Sequence, residues 1–565
     1  MKKNVTTLGI NDGHNSGAAI VQNGKVKSAI QEERLRNIKN FSGTPAYAIK
    51  SVFESSNINP SDIDVIAIVS LNRTYAPLHE IPLRNKLFEI LSPAVHGHTF
   101  SNLYVKLLHR FRKMDNLKKI LNDVGLENKN IMFIEHHHCH AACAYYQRPW
   151  NEDALVLTLD GAGDGLSATV NIGNSYQIER IASTTYYDSP GNNFYSEITG
   201  FLGFKRWEHE YKLMGLAPYG RYEYCIDEMK KIIRINPKNP LEFQNTIGAT
   251  GTQIQTKLKK ILSTQRFDNI AAACQKHFED IVTQWIKNAV KETGLHKITC
   301  AGGMFLNVKT NKLIREMDDV EEVFFYPASD DGGTPVGAAL ESYYRFCEQE
   351  GIKPIKTSLQ DIYYGIEYTD EKVNNAIKNS IWSDKAQKID NIESEIAELL
   401  SKGKVIARFS GKEEWGPRAL GNRSIIADPS DLRIINKINS AIKMRDFWMP
   451  FAPSILEERI NDYIIDPKPS YYMIEAFDTE NSADEIIAGL HPFDHTARPQ
   501  TVNEYNPSYK KIIENFQEIT GIGGILNTSF NLHGYPICGT PQVAIDTLNK
   551  SGLDGLAINN YLLLK

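Results

Sequence analysis

Apolar positions along the chain fall first into short runs broken by Asp-Gly turns. TTLGINDGHNSGAAIVQNGKV (6–26) reads as an apolar strand, an Asp-Gly turn and a second apolar strand. ALVLTLDGAGDGLSATVNIGNSY (154–176) repeats that plan with extra glycines in the turn. The echo predicts a duplicated α/β domain with a cleft between its halves, although a strand–Asp-Gly–strand pattern also recurs by chance. Further on, KITC (297–300) predicts a strand, NVKTNKLIREM (307–317) a helix and VEEVFFYP (320–327) another strand. After ASDDGG (328–333) a helix is expected with Thr334 as N-cap and Pro335 at its first position. EQEGIKPIKTS (348–358) has the Gly, Lys and Pro content of a linker, and a second α/β unit is expected beyond it. The stretch 79–114 is aromatic and locally basic, and predicts inserted helices that form either a solvated surface or a cap over a substrate.

Composition narrows the class. A chain of 565 residues exceeds one compact core, so two or three domains are expected. The 63 basic and 68 acidic residues give a net charge of −5, which argues against a large nucleic-acid footprint. Mean hydropathy is −0.35, and no apolar stretch reaches the roughly 18–20 residues of a membrane span. The start MKKNVTTLGIND breaks into polar residues too early for a signal peptide and reads as the first core strand. The seven cysteines (Cys139, Cys143, Cys225, Cys274, Cys300, Cys347 and Cys538) are scattered and form no CxxC pair. A reducing cytoplasm is expected, and a structural zinc site loses its usual signature.

Candidate chemistry begins at EHHHCHAAC (135–143). His136 and His140 are four apart, so on a helix they share one face and can hold one ion. His137 stands where HExxH has its glutamate, which disfavours a protease-type zinc site. Cys139 points elsewhere on such a helix, toward packing. Asp160 in LTLDGAGDG and Asp331 in ASDDGG sit where strands yield to glycine turns, a usual place for ligand-binding side chains. Two histidines and two aspartates suit Fe(II) or a similar divalent ion better than a thiolate zinc site. Asp164 reads as a turn former. Gly302 and Gly303 in CAGGMFLN, with Asn307 closing that stretch, offer a turn into a helix suited to a phosphate or a nucleotide, as in an actin-like cleft.

The C-terminal unit carries anion-binding groups. Arg418 and Arg423 lie in EEWGPRALGNRSIIADP (413–429), and Lys443 and Arg445 in SAIKMRDFWMPFAPS (440–454) are two apart, on one side of an expected strand. GGILNTSFN (523–531) ends a strand with Thr528, Ser529 and Asn531. Three loops that each offer such groups suggest a concave polyanion site.

Taken in order, NDGHNSGAA, QEERLRNIKN, EHHHCHAA, LTLDGAGDG, EYKLMGLAPYG, AGGMFLN, DDGGTPVGAAL, EEWGPRALGNRSIIADP, KMRDFWMPFAP and LNTSFN resemble the NodU/CmcH family of O-carbamoyltransferases, and most closely its antibiotic-tailoring members. The resemblance implies a duplicated actin/Hsp70-like (Kae/TsaD-like) domain over residues 1–355, fused to a YrdC-like α/β domain over residues 356–565. It implies that His136, His140, Asp160 and Asp331 hold a metal. It implies that Mg-ATP and carbamoyl phosphate give carbamoyl-adenylate in the YrdC-like domain, with Lys443, Arg445, Arg418 and Arg423 on phosphate and Thr528, Ser529 and Asn531 holding oxygens. Transfer to a small-molecule hydroxyl acceptor would follow at the metal, assisted by His14, with Lys39 and Lys212 near the adenylate. His137 and His138 would pack or contact ligand. A cytoplasmic enzyme is expected, with no nucleic-acid or membrane partner, and a homodimer is compatible with it.

Three rival readings remain at this stage. An actin-like metal-dependent ATPase would turn ATP into ADP and leave Lys443 and Arg445 unused. A tRNA threonylcarbamoylation enzyme is disfavoured by the missing basic stripe. A HypF-like maturation factor is expected to carry further upstream segments, whereas here residue 6 already begins the core.

Overall fold

The computed structural model describes residues 4–71, 116–250, 252–443 and 445–565. The expected inserted helices of 79–114 lie outside the described residues. Two compact units emerge: Met1–Glu32 with Phe41–Leu359, and Glu33–Asn40 with Gln360–Lys565. The short stretch 33–40 is therefore part of the second unit, although its neighbours in sequence on both sides belong to the first.

The first unit is built on two five-stranded sheets. One contains β1 (Thr6–Asn11), β2 (Gly17–Gln22), β3 (Lys25–Gln31), β4 (Val65–Val69) and β5 (Asn130–Ile134) in the order β3-β2-β1-β4-β5. The other contains β6 (Ala154–Gly163), β7 (Leu166–Asn174), β8 (Gln177–Thr185), and then, past a small ribbon of β9 (Ile233–Ile235) and β10 (Phe243–Asn245), β11 (Lys297–Ala301) and β12 (Glu322–Phe325). Its order is β12-β11-β6-β7-β8. In each sheet three antiparallel strands, consecutive in sequence, continue into two parallel ones. The repeated Asp-Gly hairpin is thus the visible part of a repeated sheet.

α1 (Glu32–Arg36) carries the chain out of β3 into the stretch 33–40, and the faces are filled by α2 (Ala46–Ser56), α3 (His136–Gln147), α4 (Phe267–Thr293) and α5 (Thr334–Gln349). β1 is buried at every position because it is covered on both faces, as parallel-type central strands are. α5 lies on it, with the Thr7 hydroxyl donating to the Ala339 carbonyl at 2.7 Å. α3 packs in turn on α5 at Gly337, where any Cβ would stand 1.9 Å from the Cys139 carbonyl oxygen. That contact sets the spacing between the helix bearing His136 and His140 and the turn bearing Asp331. Thr334 is the first helical residue of α5 rather than its N-cap, which is Gly333. Its hydroxyl donates to the Asp331 carbonyl at 2.6 Å, so it still ties down that turn.

The second unit is one eight-stranded mixed sheet of order β13-β20-β19-β14-β15-β18-β16-β17. Its strands are β13 (Gln387–Lys388), β14 (Ile406–Phe409), β15 (Arg423–Ala427), β16 (Ala452–Leu456), β17 (Gln500–Val502), β18 (Gly524–Ser529), β19 (Gly555–Ile558) and β20 (Tyr561–Leu564). Alternate residues serve opposite faces. Ile406 and Ile426 join Ile396, Ile512 and Phe516 on one side, under α6 (Ile392–Ser401) and α7 (Pro507–Thr520). Ala407, Phe409 and Ile425 join Ile434, Ile438 and Ile442 on the other. The latter three, spaced by four, belong to helical turns that end at Lys443. The expected strand through Lys443 and Arg445 does not form; the apolar period of four, buried against the sheet, selects a helix there instead.

Candidate active site

The helix α3 starts where it does because two carboxylates meet its first amides. Glu135 is the N-cap and accepts from the amides of His137 at 3.1 Å and His138 at 2.9 Å. Burial would raise the Glu135 carboxyl, but Arg180, donating at 2.5 Å, holds it down at about 2 together with the helix amides. Asp164 accepts from the His136 amide at 2.8 Å, the Leu71 amide at 3.0 Å and the Ser70 hydroxyl at 2.6 Å. Asp164 and Ser70 both have left-handed backbones, with φ of 49° and 85°. Asp164 is thus more than a turn former, since it fixes the first residue of the metal-facing helix to the end of β4.

The four expected ligands come together. One atom each from His136, His140, Asp160 and Asp331 lies within 4.8 Å of the others. His136 Nε2 is 3.6 Å from Asp160 Oδ2 and 3.4 Å from Asp331 Oδ1, and His140 Nε2 is 3.5 Å from that same Asp331 oxygen. Gly163 makes room for the cluster, because a Cβ there would overlap the His136 ring at 1.9 Å. The residues fit a divalent ion. Donors about 2.1 Å from one ion at roughly right angles lie about 3 Å apart, and the two imidazole Nε2 atoms are 3.1 Å apart. Asp331 Oδ1 is buried with no hydrogen bond, as expected of a ligand atom. Two nitrogens and carboxylate oxygens, with no thiolate among them, favour a borderline-to-hard divalent ion. Burial works against charge on His136, yet Asp331 and Asp160 raise its pKa well above the ordinary value, and burial of Asp331 is outweighed by His136, His14 and His140, which hold it far down.

His14 stands at the rim, its side chain 47% exposed and its Nδ1 3.4 Å from Asp331 Oδ2. Asn11 orders this turn by donating to the His14 carbonyl at 2.8 Å and the Asp331 carbonyl at 3.2 Å. The other two histidines are engaged with other partners. His137 Nδ1 meets the Thr158 hydroxyl at 2.9 Å, and burial lowers its pKa to about 3, so it is neutral. His138 Nε2 pairs with Glu341 at 3.0 Å.

The glycine turn behaves differently from expectation. Gly302 has φ of 109°, and a Cβ there would lie 2.3 Å from the Leu159 carbonyl oxygen, so it serves close packing onto the end of β6. Gly303 donates its amide to Asp160 Oδ1 at 2.9 Å and so orients one carboxylate of the cluster. Asn307 is not available as a nucleotide contact. Its Oδ1 accepts from Thr310 and Gln275, and its Nδ2 donates to Gln275 at 3.0 Å, which makes it a helix cap in a buried amide pair. Lys212, in the segment Glu210–Leu216, lies 5.8 Å from the Phe204 ring centroid.

In the second unit Lys443 is 2% exposed. Its ammonium donates to the carbonyl oxygen of Ser529, to the Ser529 hydroxyl at 3.2 Å, and to Asn531 at 2.6 Å (Oδ1) and 3.1 Å (carbonyl). Burial pushes the Lys443 pKa well below its usual value, and the charges of Arg445 and Lys39 push it the same way. Arg498, which sequence reasoning missed, is likewise depressed by burial and by Arg418 and Arg445. Arg445 thus bears on both Lys443 and Arg498, with Lys39 beside the first and Arg418 beside the second. Thr528 pairs with Ile425 inside the sheet, next to Ser529. Arg423 is a correction. It is fully buried, stacks 3.8 Å over Phe409, and donates to the carbonyls of Ser410, Gly411, Asn422 and Ile366, which leaves its two terminal nitrogens no role with phosphate.

Among the described residues no helix is long and apolar enough to cross a membrane. A family model described as carbamoyltransferase N-terminus matches residues 6–340, and one described as carbamoyltransferase C-terminus matches residues 397–565. Nodulation protein NolNO of Sinorhizobium fredii is 30% identical over 564 residues, covering 98% of this chain and 79% of that protein. Nodulation protein NolO of Bradyrhizobium diazoefficiens is 32% identical over 441 residues, covering 76% and 79%. Among solved structures, full-length HypF in its phosphate- and nucleotide-bound form is similar with a TM-score of 0.34 at 13% identity, over 62% of this chain and 56% of that one. By these matches the chain belongs to the NodU/CmcH-type carbamoyltransferases and is a carbamoyltransferase enzyme.

Proposed function

We propose that the enzyme works in two stages at two separate sets of residues. In the second unit, which we read as YrdC-like, carbamoyl phosphate is hydrolysed to carbamate and phosphate. A carbamate oxygen then attacks the α-phosphorus of Mg-ATP, forming carbamoyl-adenylate and releasing pyrophosphate. In the first unit the hydroxyl of a small-molecule acceptor attacks the carbamoyl carbon, its proton is removed, and AMP leaves. Carbamate itself is a poor electrophile, and adenylation equips it with a good leaving group.

The observation that carries the reading is the state of Lys443. A buried ammonium beside other cations, held only by neutral oxygens of Ser529 and Asn531, is stabilised when an anion replaces them. Arg418, Arg445 and Arg498 supply the further positive charge that a triphosphate and a carbamoyl phosphate require. In the first unit, His136, His140, Asp160 and Asp331 would hold a divalent ion, Fe(II) or a similar metal, which supplies Lewis acidity toward a carbonyl oxygen when bound. Gly303 orients Asp160, and Asp164 with Glu135 holds His136 in place. His14, at the exposed rim against Asp331, is positioned to take the proton of the acceptor hydroxyl.

The test is carbamoyl-phosphate-dependent conversion of ATP to AMP and pyrophosphate by the metal-loaded enzyme. The wild type is expected to form both, and Lys443→Ala to form neither. Formation of ADP alone, or no nucleotide turnover, overturns the adenylation stage. A mass-spectrometric screen of sugar, aminoglycoside, polyketide, alkaloid and cephem alcohols for products heavier by one carbamoyl group identifies the acceptor.

A further inference from the structure

Arg34 comes from QEERLRNIKN, yet it belongs to the second unit, about 380 residues from its partners in sequence. It is 2% exposed, as is Glu413. One terminal nitrogen donates to Glu413 Oε1 at 2.8 Å and to the Glu414 carbonyl at 2.5 Å, and the other donates to the Gly416 carbonyl. These acceptors are the start of the loop EEWGPRALGNR, and the last of them lies two residues before Arg418.

The far end of the same loop is gathered by Glu414, whose Oε1 accepts from the amides of Leu420 at 2.7 Å, Arg423 at 3.1 Å and Asn422 at 3.2 Å. Arg418 is thus carried on a loop pinned at both ends, and Arg34 is one of the pins. The backbone of Arg34 is also enclosed. A Cβ at Gly539 would lie 2.5 Å from the Arg34 carbonyl oxygen, so the stretch next to Cys538 closes over it. Cys538 in turn donates its amide to Phe530 at 2.9 Å, between the two residues that hold Lys443. Arg34 therefore touches the loop that carries Arg418, and its carbonyl lies against Gly539, in the stretch that follows Ser529 and Asn531. The planar fork of Arg34 spreads its donors over two terminal nitrogens and so spans a carboxylate and two carbonyls of residues 413–416, a geometry that an ammonium, with all its donors on one nitrogen, does not reproduce.

We propose that Arg34 is a positioning residue of the anion site, fixing the loop that presents Arg418, so that residues 33–40 are a working part of the adenylating unit. The proposal rests on the reading that Arg418 meets phosphate. The two are separated by using pyrophosphate binding as the probe for Arg34, and AMP formation by the wild type as the probe for the reaction.

The experiment measures pyrophosphate affinity by calorimetry in full-length wild type, R34K, R418A and the double variant, with thermal melts and metal content as folding controls. R34K is expected to keep its melt and metal content and bind pyrophosphate about tenfold more weakly. In the R34K background, R418A is expected to cost less than about threefold more, because the two act through one loop. Wild-type affinity in R34K overturns the proposal, as do losses that simply multiply in the double variant. If R34K unfolds, E413Q loosens the same grip from its other end and is judged by the same two outcomes.

Discussion

Lys443 is held by oxygens that neutralise none of its charge, while burial, Arg445 and Lys39 all favour its neutral form. Its folded pKa in the ligand-free protein therefore lies below the usual lysine value, and a bound phosphate raises it again. Only the protonated amine binds the anion well. Affinity is complete below the ligand-free pKa, falls as pH rises through that value, and levels off above the ligand-bound pKa. Between the two, binding takes up a proton. Calorimetric titration with pyrophosphate in buffers of different ionisation enthalpy should report that uptake at alkaline pH in the wild type, and Lys443→Met should abolish it. Buffer-independent heats in the wild type would sink this account. At this scale the sequence was legible where chemistry and local spacing coincide. His136 and His140 share a helix face, Asp160 lies toward the end of β6, and Asp331 lies in the glycine turn ahead of α5. Arg423 and Arg498 were not legible, because which arginine faces an anion and which is consumed by carbonyls depends on chain segments far away in sequence.

The element that matters most is α3, and its placement is decided by a backbone contact. Gly337 of α5 lies against the Cys139 carbonyl of α3, and any side chain there demands that the two helices separate. Gly337→Ala should destabilise the protein by about 1–3 kcal/mol, the usual range for overpacking a tight core. Because α3 carries His136 and His140 while Asp331 sits just ahead of α5, the same substitution should also lower bound metal. Denaturant melts and elemental analysis of the purified variant check both effects. Unchanged stability with full metal content would show that the helices tolerate the extra volume. The strands and Asp-Gly hairpins were readable because short apolar runs and turn chemistry are local. The turn at Lys443 departs from the expected strand because Ile434, Ile438 and Ile442, spaced by four and buried against the sheet, outweigh the two charges and select helical turns.

At the scale of the whole molecule, the proposed scheme assigns its two stages to two units of one chain. His136, His140, Asp160 and Asp331 lie within Phe41–Leu359, and Lys443, Arg445, Arg418 and Arg498 lie within Gln360–Lys565. The second unit is nevertheless not a separable C-terminal piece, since Glu33–Asn40 belongs to it. Neither the excursion nor its anchor was readable from the linear pattern, because a buried arginine bonded to a distant loop leaves no periodic trace. If the division of labour holds, His136→Ala should lower bound metal and stop carbamoylation of the acceptor while leaving AMP and pyrophosphate formation within about threefold of wild type. Chelation of the metal in the presence of excess magnesium should do the same. Lys443→Ala should behave in the opposite way at the first stage, forming no AMP while keeping its metal. Nucleotide turnover followed by chromatography, with metal content measured on the same samples, separates the cases. Loss of AMP formation in His136→Ala with its fold intact would show that the two sets of residues act as one site, and the two-stage scheme would then have to be abandoned.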